Sequence, residues 1–345
     1  QGMTTHRIIT GDSRNLSGIP DGSVQLIVTS PPYPMVEMWD DLFSAQDPDI
    51  GRALVDGDGV RAFGLMHSVL AGVWRECRRV LCVSGFACIN IGDATRTVNG
   101  NFRLYSNHTE IIRSLEGLGF ITLPDILWRK QSNSPNKFMG SGMYPAGAYV
   151  TYEHEYILVF RKGGKRTFSG REKLLRQKSA YFWEERNIWF SDLWEDIKGV
   201  AQLLDRPGAE RERSAAFPFE IPYRLVNMYS AERDTVLDPF AGLGTTSLAC
   251  MAANRNSVCV EKDAGLAEIA VNRLLTSPEA LNMIIDSRLE RHMAFIGGLP
   301  EEKRAACYIN KPHGFPVKTR QETAIKIDRV AAIKSLGGAV ICEYE

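Results

Sequence analysis

The run Ile27-Val28-Thr29-Ser30-Pro31-Pro32-Tyr33 constrains this chain more than any other stretch. β-Branched residues lead into a hydroxyl, two prolines and an aromatic ring, the pattern of a buried strand stopped abruptly at its carboxyl end. The prolines fix φ and remove two backbone donors, so neither a helix nor a sheet ladder consumes the carbonyls there. Such an ending predicts a rigid rim of acceptors at the edge where open α/β sheets bind ligands.

The remaining chain supplies a sheet for that strand. His6 to Thr10 reads as a strand running into Gly11-Asp12-Ser13, where Asp12 either caps a helix beginning near Asn15 or meets a ligand. Residues 34–60, rich in Asp, Gly and Pro, read as a long mobile loop suited to covering a site. Arg61 to Leu81 carries Met66, Leu70, Val73 and Trp74 at helical spacing. Val83 to Ile91 is then a strand ending in Gly92-Asp93, and Thr109 to Leu118 a helix closed by Gly119. Phe120 to Trp128 and Tyr152 to Arg161 are expected to pair as an antiparallel hairpin at the edge of a parallel sheet.

Further on, Thr235 to Leu237 feeds Asp238-Pro239-Phe240-Ala241-Gly242-Leu243-Gly244-Thr245-Thr246 and a helix from Ser247 to Ala253. The glycines let a ligand approach the backbone, and the helix start offers free N–H groups. Ser257 to Val260 follows as a strand tipped by Glu261, well placed to accept ribose hydroxyls. No lysine follows the glycines, which excludes a phosphate-binding P-loop. Leu266 to Leu275 is a further helix. Residues 276–345 alternate helical and strand-like stretches, end in a strand over Ala339 to Cys342, and carry no motif tied to chemistry.

With 345 residues the chain suits one large α/β domain with insertions, or two domains. Its 41 basic and 41 acidic residues balance, so any nucleic-acid signal must be local. Arg161 to Lys178 provides one, with eight basic residues against Glu172 alone. Tyr181, Phe182, Trp183, Trp189, Phe190 and Trp194 follow it. That pattern suits phosphate contacts with base stacking; a solvated basic face beside a small aromatic core is the alternative. Residues 198–216 read as a linker. Seven cysteines without a C-x-x-C pair argue against a disulfide framework and a zinc cluster, so no metal and a reducing cytoplasm are expected. No apolar run approaches the ~20 residues of a membrane span, and Gln1-Gly2-Met3 reads as a tag scar before a native start.

Thr29-Ser30-Pro31-Pro32-Tyr33 followed by the Asp238 to Thr246 run closely resembles the motif pair of S-adenosylmethionine-dependent amino-group DNA methyltransferases. Catalytic motif first and glycine motif last is the order of the permuted β subgroup. Gly11-Asp12-Ser13, Ile89 to Asp93, Trp128-Arg129-Lys130 and Phe217-Pro218-Phe219-Glu220 match in family order, so the resemblance spans about 11–275. It implies a Rossmann-like methyltransferase sheet, mostly parallel with an antiparallel edge hairpin, plus an inserted DNA-recognition region. Residues 3–130 would carry the catalytic motif, 131–210 the target-recognition insertion, 211–275 the cofactor motif, and 276–345 an extension of unassigned role.

The resemblance also implies roles. Ser30 and the Pro31 carbonyl would hold the amine of an extruded base, with Pro32 fixing the rim and Tyr33 stacking on the base. The Phe240 to Thr246 loop, including Gly242, Gly244, Thr245 and Thr246, would wrap the methionine part of S-adenosylmethionine after Asp238 and Pro239. Glu261 would bind the ribose, Asp12 the adenine amine, and Phe217 and Pro218 would close the pocket. Lys130, Lys165, Arg166, Arg171 and Lys173 would contact duplex DNA. Serine at position 30 favours cytosine N4 over adenine N6 as the target. A separate restriction endonuclease is the further expected partner, and the chain is monomer or dimer. The alternatives are adenine N6 methylation, protein glutamine methylation, whose enzymes place a similar rim after the glycine motif, and a DNA-binding module without catalysis.

Overall fold

The structure, a computed structural model, describes residues 2–130, 139–197 and 217–345. The connection over 131–138, the expected linker over 198–216 and Gln1 of the expected tag scar lie outside these. The chain forms strands β1 (Met3–Thr10), β2 (Val24–Thr29), β3 (Leu81–Ile91), a hairpin of β4 (Ala94–Val98) and β5 (Asn101–Tyr105), and β6 (Phe120–Arg129). A second hairpin, β7 (Met139–Gly140) and β8 (Ala148–Tyr149), precedes β9 (His154–Lys162) and β10 (Leu193–Trp194). Then come β11 (Thr235–Asp238), β12 (Asn256–Glu261), the pair β13 (Tyr308–Ile309) and β14 (Pro316–Val317), β15 (Val330–Leu336) and β16 (Ala339–Tyr344).

Ten of these strands form one sheet in the order β10-β6-β9-β3-β2-β11-β12-β1-β16-β15. The five central strands, β3, β2, β11, β12 and β1, are all parallel. Their carboxyl ends, including Thr29, Asp238 and Glu261, therefore share one edge. Alternation explains why β2 reads as continuously apolar: Leu26 and Val28 enter the core on one side of the sheet and Ile27 the core on the other. The helix Gly59–Val80 covers the second side with Met66, Leu70, Val73 and Trp74. Helices Glu220–Tyr229, Thr245–Ala252 and Pro278–Gly297 cover the first.

Several expectations change here. β9 pairs antiparallel with β6, as expected, and joins this hairpin to the edge of the parallel strands through β3, with the two-residue β10 added beyond β6. β9 and β10 fall within 131–210, so that region contributes two strands to the main sheet. β16 pairs with β1, making the last residues part of the same sheet. No helix begins near Asn15; Asp12 instead makes a turn, accepting from the Arg14 backbone N–H at 2.9 Å. Residues 34–60 are not a loop but a 3-10 turn, Glu37–Trp39, and two helices, Asp40–Gln46 and Pro48–Val55. The residues that signalled a loop are helix punctuation: Asp47 caps the second helix with Pro48 at its first position, and Asp58 caps the helix Gly59–Val80. Phe43, Ile50 and Ala53 then anchor both short helices in the core.

Candidate active site

A cavity of about 780 Å³ opens at the carboxyl edge of the parallel strands. One side of it is the rim Ser30 to Tyr33, and the other is formed by Asp12, Pro239, Phe240, Gly242 and Glu261. The rim and the glycine motif are far apart in sequence but adjacent in space because β2 pairs directly with β11. Phe217 and Pro218 also line the cavity. The segment over 34–60, expected to cover a site, does contribute Met38, Trp39 and Leu42 to the cavity lining, together with Val69 and Val73, but from a 3-10 turn and a helix rather than a loop.

The rim is polarised by a buried hydrogen-bond network. The Tyr33 hydroxyl donates to Glu155 Oε2 at 2.9 Å. It accepts from Asn90 Nδ2 at 2.8 Å and lies 3.2 Å from Ser30 Oγ. A phenol has one proton, and here the carboxylate takes it, so the Ser30 hydroxyl is the donor in the third contact. The lone pairs of Ser30 are thereby left for an external donor. Burial, with the Glu155 charge adding to it, holds the Tyr33 phenol well above its usual range, so it stays a donor. Asn90 also donates to Glu155 Oε2 at 2.7 Å, and Lys130 closes the network on Oε1 at 2.9 Å while lying over the Trp128 ring. Asn90 Oδ1 remains buried without a partner, a cost of roughly 1–3 kcal/mol of the kind found at sites rather than cores. Gly92 supports the arrangement from behind: a Cβ there would lie 3.0 Å from the Tyr33 ring and 3.4 Å from Glu155.

Neither Asn90 nor Glu155 was assigned a role from sequence. The available signal was a polar residue inside the apolar run Ile89-Asn90-Ile91, and an acid opening the apolar run of β9.

Opposite the rim, Glu261 accepts from the Gly242 N–H at 2.8 Å and the Asp263 N–H at 2.9 Å. Burial raises its carboxyl above the usual value against those bonds. Asp12 is paired with Arg14 at 2.7 Å, which lowers its carboxyl, while Lys262 lies 3.7 Å away. The Gly11 N–H donates to the Glu261 carbonyl at 2.9 Å, and Ser13 Oγ donates to the Pro239 carbonyl, which fastens the Asp12 turn to the glycine motif. Two carboxylates flanking the apolar surfaces of Phe240, Val260 and Leu266 suit a nucleoside bearing a positive charge, and S-adenosylmethionine has that chemistry.

Four residues of the glycine motif stand behind this wall instead of on it. Asp238 is buried, accepting at 2.6 Å from both Thr29 Oγ1 and Thr246 Oγ1, and at 3.0 Å from the Phe240 N–H. It thus couples the residue before Ser30 to the glycine loop. Gly244 (φ +76°) starts the helix over Thr245–Ala252, and a Cβ on it would press on Ala270 at 3.1 Å. Thr245 and Thr246 open that helix.

The basic stretch is placed elsewhere. Lys162 pairs with Phe120 and Glu155 with Trp128 in the β6–β9 ladder, so Lys162 is seven residues, roughly 23 Å, from the rim. Lys165, Arg166, Arg171 and Lys173 follow it at the opposite end of the sheet, and none lines the cavity. Arg166 pairs with Asp234 at 2.6 Å, and Lys162 donates to the carbonyls of Arg78 and Leu81 at the end of a helix. Phe182, Trp189 and Trp194 are buried. Three of the six aromatic residues thus supply core, and the basic residues stand at the end of the sheet away from the cavity. Of the five proposed DNA contacts, Lys130 alone reaches the cavity.

The sequence profile of a DNA methylase family covering N6 and N4 enzymes matches residues 24–272. The Type II methyltransferase M.MthZI of Methanothermobacter thermautotrophicus is 49% identical over 326 residues, covering 94% of this chain and 90% of that one. M.MjaI, a Type II methyltransferase of Methanocaldococcus jannaschii, is 48% identical over 291 residues, covering 81% and 94%. Among solved structures, a Thermus thermophilus protein assigned as a DNA modification methylase, complexed with S-adenosyl-L-methionine, superposes with a TM-score of 0.60 at 31% identity. The alignment covers 78% of this chain and 92% of that one. No helix among the described residues is long and apolar enough to cross a membrane. The chain belongs to the N6/N4 DNA methylase family, and it is an S-adenosylmethionine-dependent DNA methyltransferase with a Rossmann-like sheet.

Proposed function

We propose that this chain methylates the N4 amine of a cytosine extruded from duplex DNA, as a permuted Ser-Pro-Pro-Tyr enzyme serving the modification side of a restriction system. The observation that carries this reading is the orientation of Ser30. Its proton is directed at Tyr33, so its free lone pairs and the fixed Pro31 carbonyl form a pair of acceptors on one cavity wall.

An exocyclic base amine is a poor nucleophile because its lone pair is delocalised into the ring. Two acceptors that draw its hydrogens out of the ring plane return that lone pair to nitrogen. Ser30 and Pro31 supply them, Tyr33 offers a ring face to the base, and Lys130 supplies donors at the same rim. S-adenosylmethionine, when bound, supplies a methyl group already activated on a sulfonium. Glu261 and Asp12 would hold its nucleoside hydroxyls and amine, Phe240 and Gly242 its methionine portion, and Phe217 and Pro218 would exclude water. Positioning accounts for most of the rate enhancement.

Nucleoside mass spectrometry of duplex DNA treated with the chain and S-adenosylmethionine tests the reading. N4-methylcytosine is expected. N6-methyladenine, or methyl incorporation into a duplex lacking cytosine, would transfer the same geometry to the adenine enzymes.

A further inference from the structure

The cavity edge carries two small hairpins that the methylation chemistry does not use. β4–β5 leaves the sheet directly after the rim-side end of β3, and β7–β8 lies between the rim-side ends of β6 and β9. They lean together through Phe102 and Tyr149, whose rings stack 4.7 Å apart at 19°. Both rings are open to solvent, Phe102 at 37% and Tyr149 at 51%, and Tyr144 beside them is 79% exposed. The pair presents apolar ring surface to solvent on which a further planar group could stack.

Charge on these hairpins is positive where it is present. Residues 94–105, between Asp93 and Ser106, contain Arg96 and Arg103 and no acid, and residues 139–152, ahead of Glu153, contain neither acid nor base. Arg96 is held by Asp40 at 2.7 Å, which fastens the hairpin to the cavity wall. Arg103 lies over Tyr105. The rim-side end of the sheet thus carries exposed rings and a guanidinium on neighbouring residues, the residue types that meet stacked bases and phosphates.

We propose that Phe102 and Tyr149 form the DNA-facing wedge of this enzyme, stacking against the duplex beside the extruded base, with Arg103 on an adjacent phosphate. This rests on the reading that a base enters the cavity. Extrusion leaves a gap in the base stack, and a flat apolar ring fills it. It moves the recognition surface from the basic stretch after Lys162 to the cavity edge.

The test uses the full chain and a fluorescent 25-base-pair duplex carrying the site found methylated in DNA from cells expressing it. A 2-aminopurine next to the target base reports extrusion, and no cofactor is added. Phe102→Ala and Tyr149→Ala are expected to weaken binding on the order of ten- to a hundredfold, and to abolish the 2-aminopurine signal. Tyr149→Leu, which keeps an apolar side chain without the flat face, falls with them. Arg103→Ala lowers the salt dependence of binding by about one counterion. Lys165→Ala, Arg171→Ala and Lys173→Ala leave it unchanged. Unaltered melting temperature and S-adenosylmethionine affinity show that the variants are folded. Ring variants that bind and extrude like wild type, or a loss confined to the Lys165, Arg171 and Lys173 variants, overturn the proposal. A wild-type chain that methylates no DNA refutes the underlying reading instead.

Discussion

Asp238→Asn is the sharpest test of how the rim and the glycine loop are joined. Its carboxylate is buried, receives the hydroxyls of Thr29 and Thr246, and orients the Phe240 N–H. Those bonds do not fully offset desolvation, so its carboxyl is pushed up from 3.8 to about 6. Between those two values the folded protein binds more proton than the unfolded chain. Stability from this group is therefore fully present below about pH 3.8, falls as pH rises through about 6, and stays lost above it. The difference amounts to roughly 3 kcal/mol. Asparagine has nearly the same shape and keeps one acceptor, while a threonine hydroxyl can rotate to accept from its amide. The stability of the variant relative to wild type should thus improve by roughly 2 kcal/mol between pH 4 and pH 8. Urea denaturation followed by circular dichroism at pH 4, 6 and 8 measures this, and taking differences between variant and wild type cancels other titrating groups. A pH-independent difference would show that the threonine hydroxyls hold the carboxyl at its ordinary value, and would refute the argument from burial.

Other substitutions separate chemistry from binding. Ser30→Ala should lower kcat by about a hundred- to a thousandfold, as loss of one aimed acceptor or donor does elsewhere, with S-adenosylmethionine affinity nearly intact by calorimetry; equal loss of both would make Ser30 a structural support. Tyr33→Phe keeps the ring but removes the acceptor that orients Ser30, so kcat should fall at least about tenfold while KM for DNA is little changed. Gly92→Ala forces the Tyr33 ring or Glu155 to move by a few tenths of an ångström, which steady-state kinetics should register in kcat with no loss of cofactor affinity. Glu261→Ala should weaken S-adenosylmethionine binding by about ten- to a hundredfold, as loss of charged hydrogen bonds implies; unchanged calorimetric affinity would remove Glu261 from the cofactor site.

Local chemistry was legible in the sequence wherever it is encoded by neighbours. Two prolines after a β-branched run end a strand, and a glycine turn between strand and helix lets backbone approach a ligand, as Gly242 does at the cavity. Both ends of the cavity, Ser30 to Tyr33 and Phe240 to Glu261, were therefore readable, as were the parallel central strands. Three things were not. Short helices at 37–55 looked like a loop because caps and loops use the same Asp, Gly and Pro residues. The basic stretch after Lys162 could not be placed relative to the site because composition carries no direction. Strand β9 runs antiparallel to its neighbours, so the residues beyond its end emerge at the opposite edge of the sheet from the site. The network of Tyr33, Asn90, Glu155 and Lys130 joins residues up to 122 positions apart. Only the sheet order β6-β9-β3-β2 brings them together. Sequence alone determined which groups could do the chemistry; pairing order and strand direction decided which of them meet.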